Sequence, residues 1–182
     1  MKPSAHFSEA IADYLYLLER GYPTKTMLKM VGDRYALPAH ERVMLYRGLA
    51  TQQALALRET KKTERLIPST PVAIDGFNVC RTVGSYLCGN FVFEGMDGFY
   101  RDVSEIHRKK LGWDVLERSV ELILDFLKIQ QAGSVHFYFD KPLSHSGKMV
   151  ALCNAMMKQM DLRGEAETVF SPDYCLAKIT EG

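Results

Sequence analysis

Three aspartates stand where apolar runs stop. Val72, Ala73 and Ile74 end in Asp75-Gly76; Val135, Phe137 and Phe139 alternate with His136 and Tyr138 and end in Asp140-Lys141-Pro142; Ala166–Phe170 ends in Ser171-Pro172-Asp173. A fourth acid, Asp97, lies in a loop that runs from Glu94 to Gly98. Each apolar run reads as a short strand, so each of the three acids falls at or just past a strand's carboxyl end, the edge where open α/β sheets bind ligands. One carboxylate in that position is a metal ligand, a catalytic group or a helix cap. Three from neighbouring parallel strands would converge on one patch. Two carboxylates about 4 Å apart repel by about 4 kcal/mol at an effective dielectric near 20, and so shift their pKa values or take up a cation. With no His or Cys beside them, an all-oxygen site suits Mg²⁺ or Mn²⁺, and such an ion can orient a phosphodiester and activate a water.

The elements needed to position these acids can be read in order. Leu116, Val120, Ile123, Leu124 and Leu127 make the apolar stripe of a helix from Asp114 to Gln131, with Asp114 and Glu117 spaced as a capping box and Gly133 closing it. A second helix runs from Gly147 to about Leu162, with Val150, Cys153, Met157 and Met160 inward and Gly164 as its stop. The resulting β, α, β, α, β order predicts a parallel sheet with crossover helices. Between Asn78 and Phe93 the pattern allows either a short helix or a hairpin turning at Gly89-Asn90. Phe99, Val103 and Ile106 place one face of a helix that reaches about Leu111.

Ahead of the sheet come three amphipathic segments. Ile11, Tyr14, Leu15 and Leu18 define a helix from Ser8 to Arg20; Met27, Leu28 and Val31 define one from Thr24 to Val31; Val43, Tyr46, Ala50, Ala54 and Leu57 define one from Pro38 to Leu57. The polar stretch Glu59–Thr70 reads as a linker. The expected organisation is a helical domain over 1–58, a linker over 59–71 and an α/β domain over 72–182. Arg34, Arg42 and Arg47 raise the question of a DNA-reading helix-turn-helix, but the Gly32–Ala39 turn is long for that motif. Packing or homo-oligomerisation is the alternative for the module.

Composition narrows the class. The chain has 182 residues, 47% apolar and 25% charged, an ordinary globular balance. No apolar run approaches the roughly 20 residues of a membrane span, and MKPSAHFSEA lacks a secretory core, so no membrane is expected and a cytoplasmic location is. Cys80, Cys88, Cys153 and Cys175 show no C-x-x-C spacing, which argues against a zinc knuckle. Residues 1–70 carry net +4 and residues 71–182 net −3. This is weakly consistent with a polyanion guided toward a metal site, and equally with ordinary solvated surface.

The segment Ser144-His145-Ser146-Gly147-Lys148 follows a strand and opens a helix, so its N–H groups and the Ser146 hydroxyl are candidates for phosphate contact or for plain N-capping. The phosphate-loop pattern G-x-x-x-x-G-K-[ST] is absent, as is the G-x-S-x-G nucleophile elbow.

Asp75-Gly76-Phe77-Asn78 after a strand, an acid near each later strand end, Asp97-Gly98 followed by Arg101-Asp102, and the Asp140–Gly147 segment together resemble the PIN-like nuclease superfamily, the NYN type most closely. They also resemble an uncharacterised prokaryotic family in which a small helical domain of unknown function precedes a PIN-like domain. The resemblance covers nearly the whole chain. It implies a three-layer, Rossmann-like parallel-sheet domain and a metal-dependent nuclease cleaving RNA, or single-stranded nucleic acid, with RNA favoured over DNA as partner. It implies that Asp75, Asp140 and Asp173 hold Mg²⁺ or Mn²⁺, with Asp97 as a further ligand for which Asp102 competes. Asn78 would assist a phosphate or water, and Ser144, Ser146 and Arg101 would contact phosphate. It also implies a further acid-bearing strand after the third, so that the α/β domain as read lacks its last strand. A non-catalytic RNA- or nucleotide-binding module on the same fold, or an oligomerising scaffold, is the alternative.

Overall fold

The alternation of Val135, Phe137 and Phe139 with His136 and Tyr138 becomes the middle strand of a parallel sheet in the computed structural model, which describes residues 2–103 and 111–179. In chain order the elements are α1 (Phe7–Glu19), α2 (Thr24–Arg34), α3 (Ala39–Gly48), α4 (Gln52–Glu59), β1 (Val72–Asp75), α5 (Gly76–Leu87), β2 (Val92–Glu94), β3 (Tyr100–Asp102), α6 (Trp113–Ile129), β4 (Val135–Asp140), α7 (Ser146–Gln159), β5 (Gly164–Val169) and α8 (Pro172–Lys178). The mixed α/β class, with a small helical region preceding a parallel sheet, is as the sequence predicts. The chain divides into two units, Met1–Lys62 with Gly89–Lys110, and Thr63–Cys88 with Leu111–Gly182. The segment from Gly89 to Lys110, read from sequence as part of the α/β domain, groups with the helices.

In the α/β unit the sheet order is β1-β4-β5, all parallel, with Ile74 opposite Phe137 and Phe137 opposite Ala166. Period-two alternation puts Ile74, Val135, Phe137, Phe139 and Ala166 on one face. They form a single core with Phe77 and Cys80 of α5, Val120, Ile123, Leu124 and Leu127 of α6, and Met149, Cys153 and Met157 of α7. Phe137, Phe139, Leu124 and Met149 are fully buried, and each such side chain contributes about 1.5–3 kcal/mol of transfer free energy. The opposite face carries Asp75, His136, Tyr138, Asp140, Glu165 and Glu167. There α8 supplies the third layer, touching β1 and β4 and bringing Cys175 close enough to perturb the Tyr138 hydroxyl. The outer edge of β5 is covered by one side chain: the Asn154 amide donates to the Ala166 carbonyl at 3.1 Å and accepts from its N–H at 2.7 Å. It thereby mimics a neighbouring strand where an open edge invites misassembly.

Several local expectations change. Gly164 opens β5 rather than stopping the preceding helix. Its φ of +143° and the 1.9 Å that would separate a Cβ from the Val135 carbonyl leave room for glycine alone. Helix α6 begins at Trp113, capped by the extended backbone of Gly112. Asp114 therefore lies inside the first turn, where its charge complements the helix dipole, and the capping box does not form. Helix α5 resolves the ambiguity after Asn78 in favour of the helix, so no hairpin turns at Gly89-Asn90.

The helical unit packs Phe7, Ala10, Tyr14, Met27, Val31, Leu37 and Leu45 into its own core. The single helix expected over Pro38–Leu57 is two. Leu49 turns extended, and the Thr51 hydroxyl accepts from Ala54 N at 3.1 Å to cap α4. The break changes the phase, so Tyr46 and Leu57, read as inward, are exposed. Tyr100–Asp102, read as helix, is instead a strand in an antiparallel hairpin with β2. The remainder of that expected helix, at 104–110, lies outside the described residues. Among the described residues no helix is long and apolar enough to cross a membrane.

Candidate functional site

Asp75 holds two posts at once. It is the last residue of β1 and the N-cap of α5. Gly76 after it lets the Phe139 ring close in to within 2.3 Å of where a Cβ would stand, and Phe77 meets the same ring edge-on at 5.1 Å. Strand end and helix start are thus pinned to the core by the residues next to the acid. The carboxylate itself is gripped by Asn78: the Asn78 backbone N–H donates to Oδ1 at 2.9 Å, and its side-chain amide donates to Oδ2 at 2.8 Å. This is the cap geometry that Asp and Asn three residues apart encode.

The register carries Asp140 to the same rim. Asp75 pairs with Tyr138, and Asp140 lies two residues further along β4 on the same face. Asp173 is the second residue of α8, whose cap is Ser171; the Ser171 hydroxyl accepts from Tyr174 N at 3.3 Å. The capping role open to Asp173 in the sequence therefore belongs to Ser171. Asp75 feels the other two. The Asp75 carboxyl is pushed above its usual range, first by burial and then by the negative charges of Asp140 and Asp173, against the pull of its two bonds from Asn78. Among the described residues no Lys, Arg or His forms an ion pair with any of the three.

Among the described residues no group of three or more His, Cys, Asp or Glu side chains is arranged to hold a metal ion. The rim is a cluster of uncompensated charge rather than a closed cage. Its donor chemistry still fits a hard cation: every donor is a carboxylate oxygen, and Mg²⁺ characteristically takes one or two carboxylates, keeps several waters and completes its shell with substrate phosphate.

Asp97 and Asp102 lie in the helical unit and are spoken for. Asp97 accepts from Arg58 Nη1 at 2.6 Å, from Arg101 Nη1 and Nη2 at 2.7 and 2.6 Å, and from Phe99 N at 3.2 Å. Arg101, foremost among these, holds its carboxyl down at about 2. Asp102 is buried beside Arg47, whose guanidinium lies 3.5 Å from its Oδ2 and donates to its carbonyl at 2.9 Å. Arg101, read as a phosphate contact, is thus committed to Asp97. In the segment before α7, Ser144 is exposed. The buried Ser146 hydroxyl turns back to the Lys141 carbonyl at 3.5 Å, and the N-cap is His145, in a left-handed conformation with no side-chain cap bond. Ser146 is therefore not the cap. Asn78 contacts Asp75; Asp140 and Asp173 lie close enough to act on the Asp75 carboxyl, and Asp97 and Arg101 are left to each other. What the sequence missed is the arginine partnership of Asp97, for which the Asp97–Arg101 spacing is the only local signal.

Residues 65–181 match the model of a domain of unknown function (DUF5616), and residues 6–61 match that of a protein of unknown function (DUF434). An uncharacterized protein of Methanocaldococcus jannaschii is 29% identical over 168 residues, spanning 91% of this chain and 80% of its own. No solved structure matches.

Proposed function

This chain belongs to the DUF5616 family, and on that premise we propose that it is a PIN-like, divalent-cation-dependent nuclease acting on RNA or other single-stranded nucleic acid. One observation carries the reading: Asp75 is a half-buried carboxylate whose proton affinity is raised first by burial and then by Asp140 and Asp173, and among the described residues none of the three acids forms an ion pair. Capping α5 accounts for Asp75 but not for the two further carboxylates that act on it, and perturbed acids at a strand-end rim suit a catalytic site. Asp75, Asp140 and Asp173 would hold Mg²⁺ or Mn²⁺, which when bound would supply positive charge for the phosphodiester and acidify a water. The protein's own part is positional. Asn78 fixes the Asp75 rotamer through both oxygens, the Phe139–Gly76 contact fixes its backbone, and α8 delivers Asp173. The reading brings with it a cytoplasmic location, and homo-oligomerisation supported by the exposed Tyr16, Tyr22, Met30, Tyr46 and Leu57 of the helical unit, which light scattering reads directly.

The test is Asp75→Asn. Asn is an equally good N-cap, so the fold is expected to survive while Mn²⁺-dependent cleavage of single-stranded RNA falls by about 10²–10³. Full activity in a folded variant would overturn the reading. A second reading, a non-catalytic nucleic-acid-binding module, is favoured by the missing three-donor group; it predicts binding in EDTA and no cutting in Mn²⁺.

A further inference from the structure

Two aromatic rings stand out from the rim that carries the acids. Phe170 is 79% exposed and Tyr174 is 61% exposed. Phe170 directly follows Val169, the cross-strand partner of Asp140, and Tyr174 directly follows Asp173 in the chain. Each ring has an ammonium group over it. Lys141 Nζ lies 5.0 Å from the Phe170 centroid and Lys178 Nζ lies 4.3 Å from that of Tyr174. Lys141 is itself the residue after Asp140, and its backbone N–H donates to the Val169 carbonyl at 2.8 Å, which holds it beside β5. An exposed cation–π pair returns less than burying a Phe side chain would. Packing therefore does not explain why the fold leaves these rings in water. Single exposed aromatics need no explanation; two ring–lysine pairs within a few residues of two clustered acids do.

We propose that Phe170 and Tyr174 are stacking platforms for the bases of a single-stranded nucleic acid, with Lys141 and Lys178 facing its phosphates. The proposal deepens, and for its biological purpose rests on, the nuclease reading of the same rim. A single strand exposes the π-face of every base, whereas a duplex hides them, so stacking on free rings selects unpaired strands without reading their sequence. The lysines supply what the acids cannot. Asp75, Asp140 and Asp173 repel a polyanion, and the two ammonium groups, 5.0 and 4.3 Å from the ring centroids, put positive charge beside each platform.

The experiment measures fluorescence anisotropy of the full-length chain with a 5′-labelled oligo(U) 12-mer, an oligo(dT) 12-mer, an abasic strand of equal length and an RNA duplex, all in EDTA so that nothing is cut. Wild-type protein is expected to bind both single strands better than the abasic strand and the duplex. Phe170→Ala and Tyr174→Ala are each expected to weaken oligo(U) binding about tenfold, with Phe170→Trp restoring it, and Lys141→Ala to reduce the salt slope by about one. Equal affinity for the abasic strand or the duplex, no binding of either single strand by wild type, or unchanged affinity in both alanine variants overturns the proposal. Cleavage in Mn²⁺ is scored separately. Protein that cuts nothing but loses binding on Phe170→Ala keeps the platforms and sinks the nuclease; protein that cuts and whose alanine variants bind as wild type does the reverse.

Discussion

Asp97 and Asp75 are both shielded carboxylates at the end of short strands or turns, and they are treated in opposite ways. Asp97, whose side chain is 4% exposed, meets two arginines and a backbone N–H, and its carboxyl is held down at about 2. Asp75 meets two more acids, and its carboxyl is pushed up. The first arrangement stabilises the hairpin that carries it. The second costs stability at neutral pH, because three charges of one sign share a rim. Both carboxylates lose solvent, and the sign of their neighbours then separates them: arginines overcome the effect of burial at Asp97, and two acids add to it at Asp75.

The largest effect that sharpens the contrast is Asp97→Ala. It strands Arg58 and Arg101 and is expected to cost about 3 kcal/mol in urea unfolding, at the low end for a broken buried pair because Arg58 is half exposed. Acid titration comes next. The Asp97 carboxyl is lowered from 3.8 to about 2, so its contribution, about 2 kcal/mol, is fully present above pH about 4 and is lost as pH falls toward 2. Asp75 has the opposite sign: with its carboxyl raised, its favourable contribution exists below the ordinary carboxylate range and disappears as pH rises through the raised value. Wild type minus Asp75→Asn stability should therefore grow on acidification, whereas wild type minus Asp97→Ala should shrink. Parallel pH curves for the two variants would erase the distinction. A smaller effect is expected from Mn²⁺ at tenfold over its dissociation constant, which should stabilise wild type by about 1.4 kcal/mol and leave Asp75→Asn unmoved; an equal shift in both would place the ion elsewhere. The smallest is the melting temperature of Asp75→Asn in EDTA at neutral pH, expected to match or slightly exceed wild type, since relief of repulsion offsets the lost acceptor for the Asn78 amide. A marked drop would make Asp75 a structural acid like Asp97.

Much of the α/β unit was legible because its signals are local. Val135, Phe137 and Phe139 announce a strand by period two. The α6 stripe announces a helix by period 3.6, and Asp75-Gly76 announces a strand end, while the segment after it stayed open between a helix and a hairpin. The helical unit was read less well. The break at Leu49–Thr51 interrupts an apolar pattern that continues through it, and Thr51 is an unremarkable residue until its hydroxyl is seen to cap α4. In the β2–β3 hairpin, the segment of β2 was left open as a hairpin strand and β3 was read as helix, because three-residue strands leave no period to count.

The sequence by itself determined most elements of the α/β unit and that an acid stands at or shortly after the end of each of its three strands, because turn residues and apolar spacing act over a few residues. Only the tertiary structure decided which acids are free. Pairing β1 beside β4 and folding α8 back over them set Asp75 against Asp140 and Asp173, while Arg58, 39 residues away in the chain, claimed Asp97. Charge compensation depends on distance in space, and spacing along the chain encodes only its local part, as between Asp97 and Arg101.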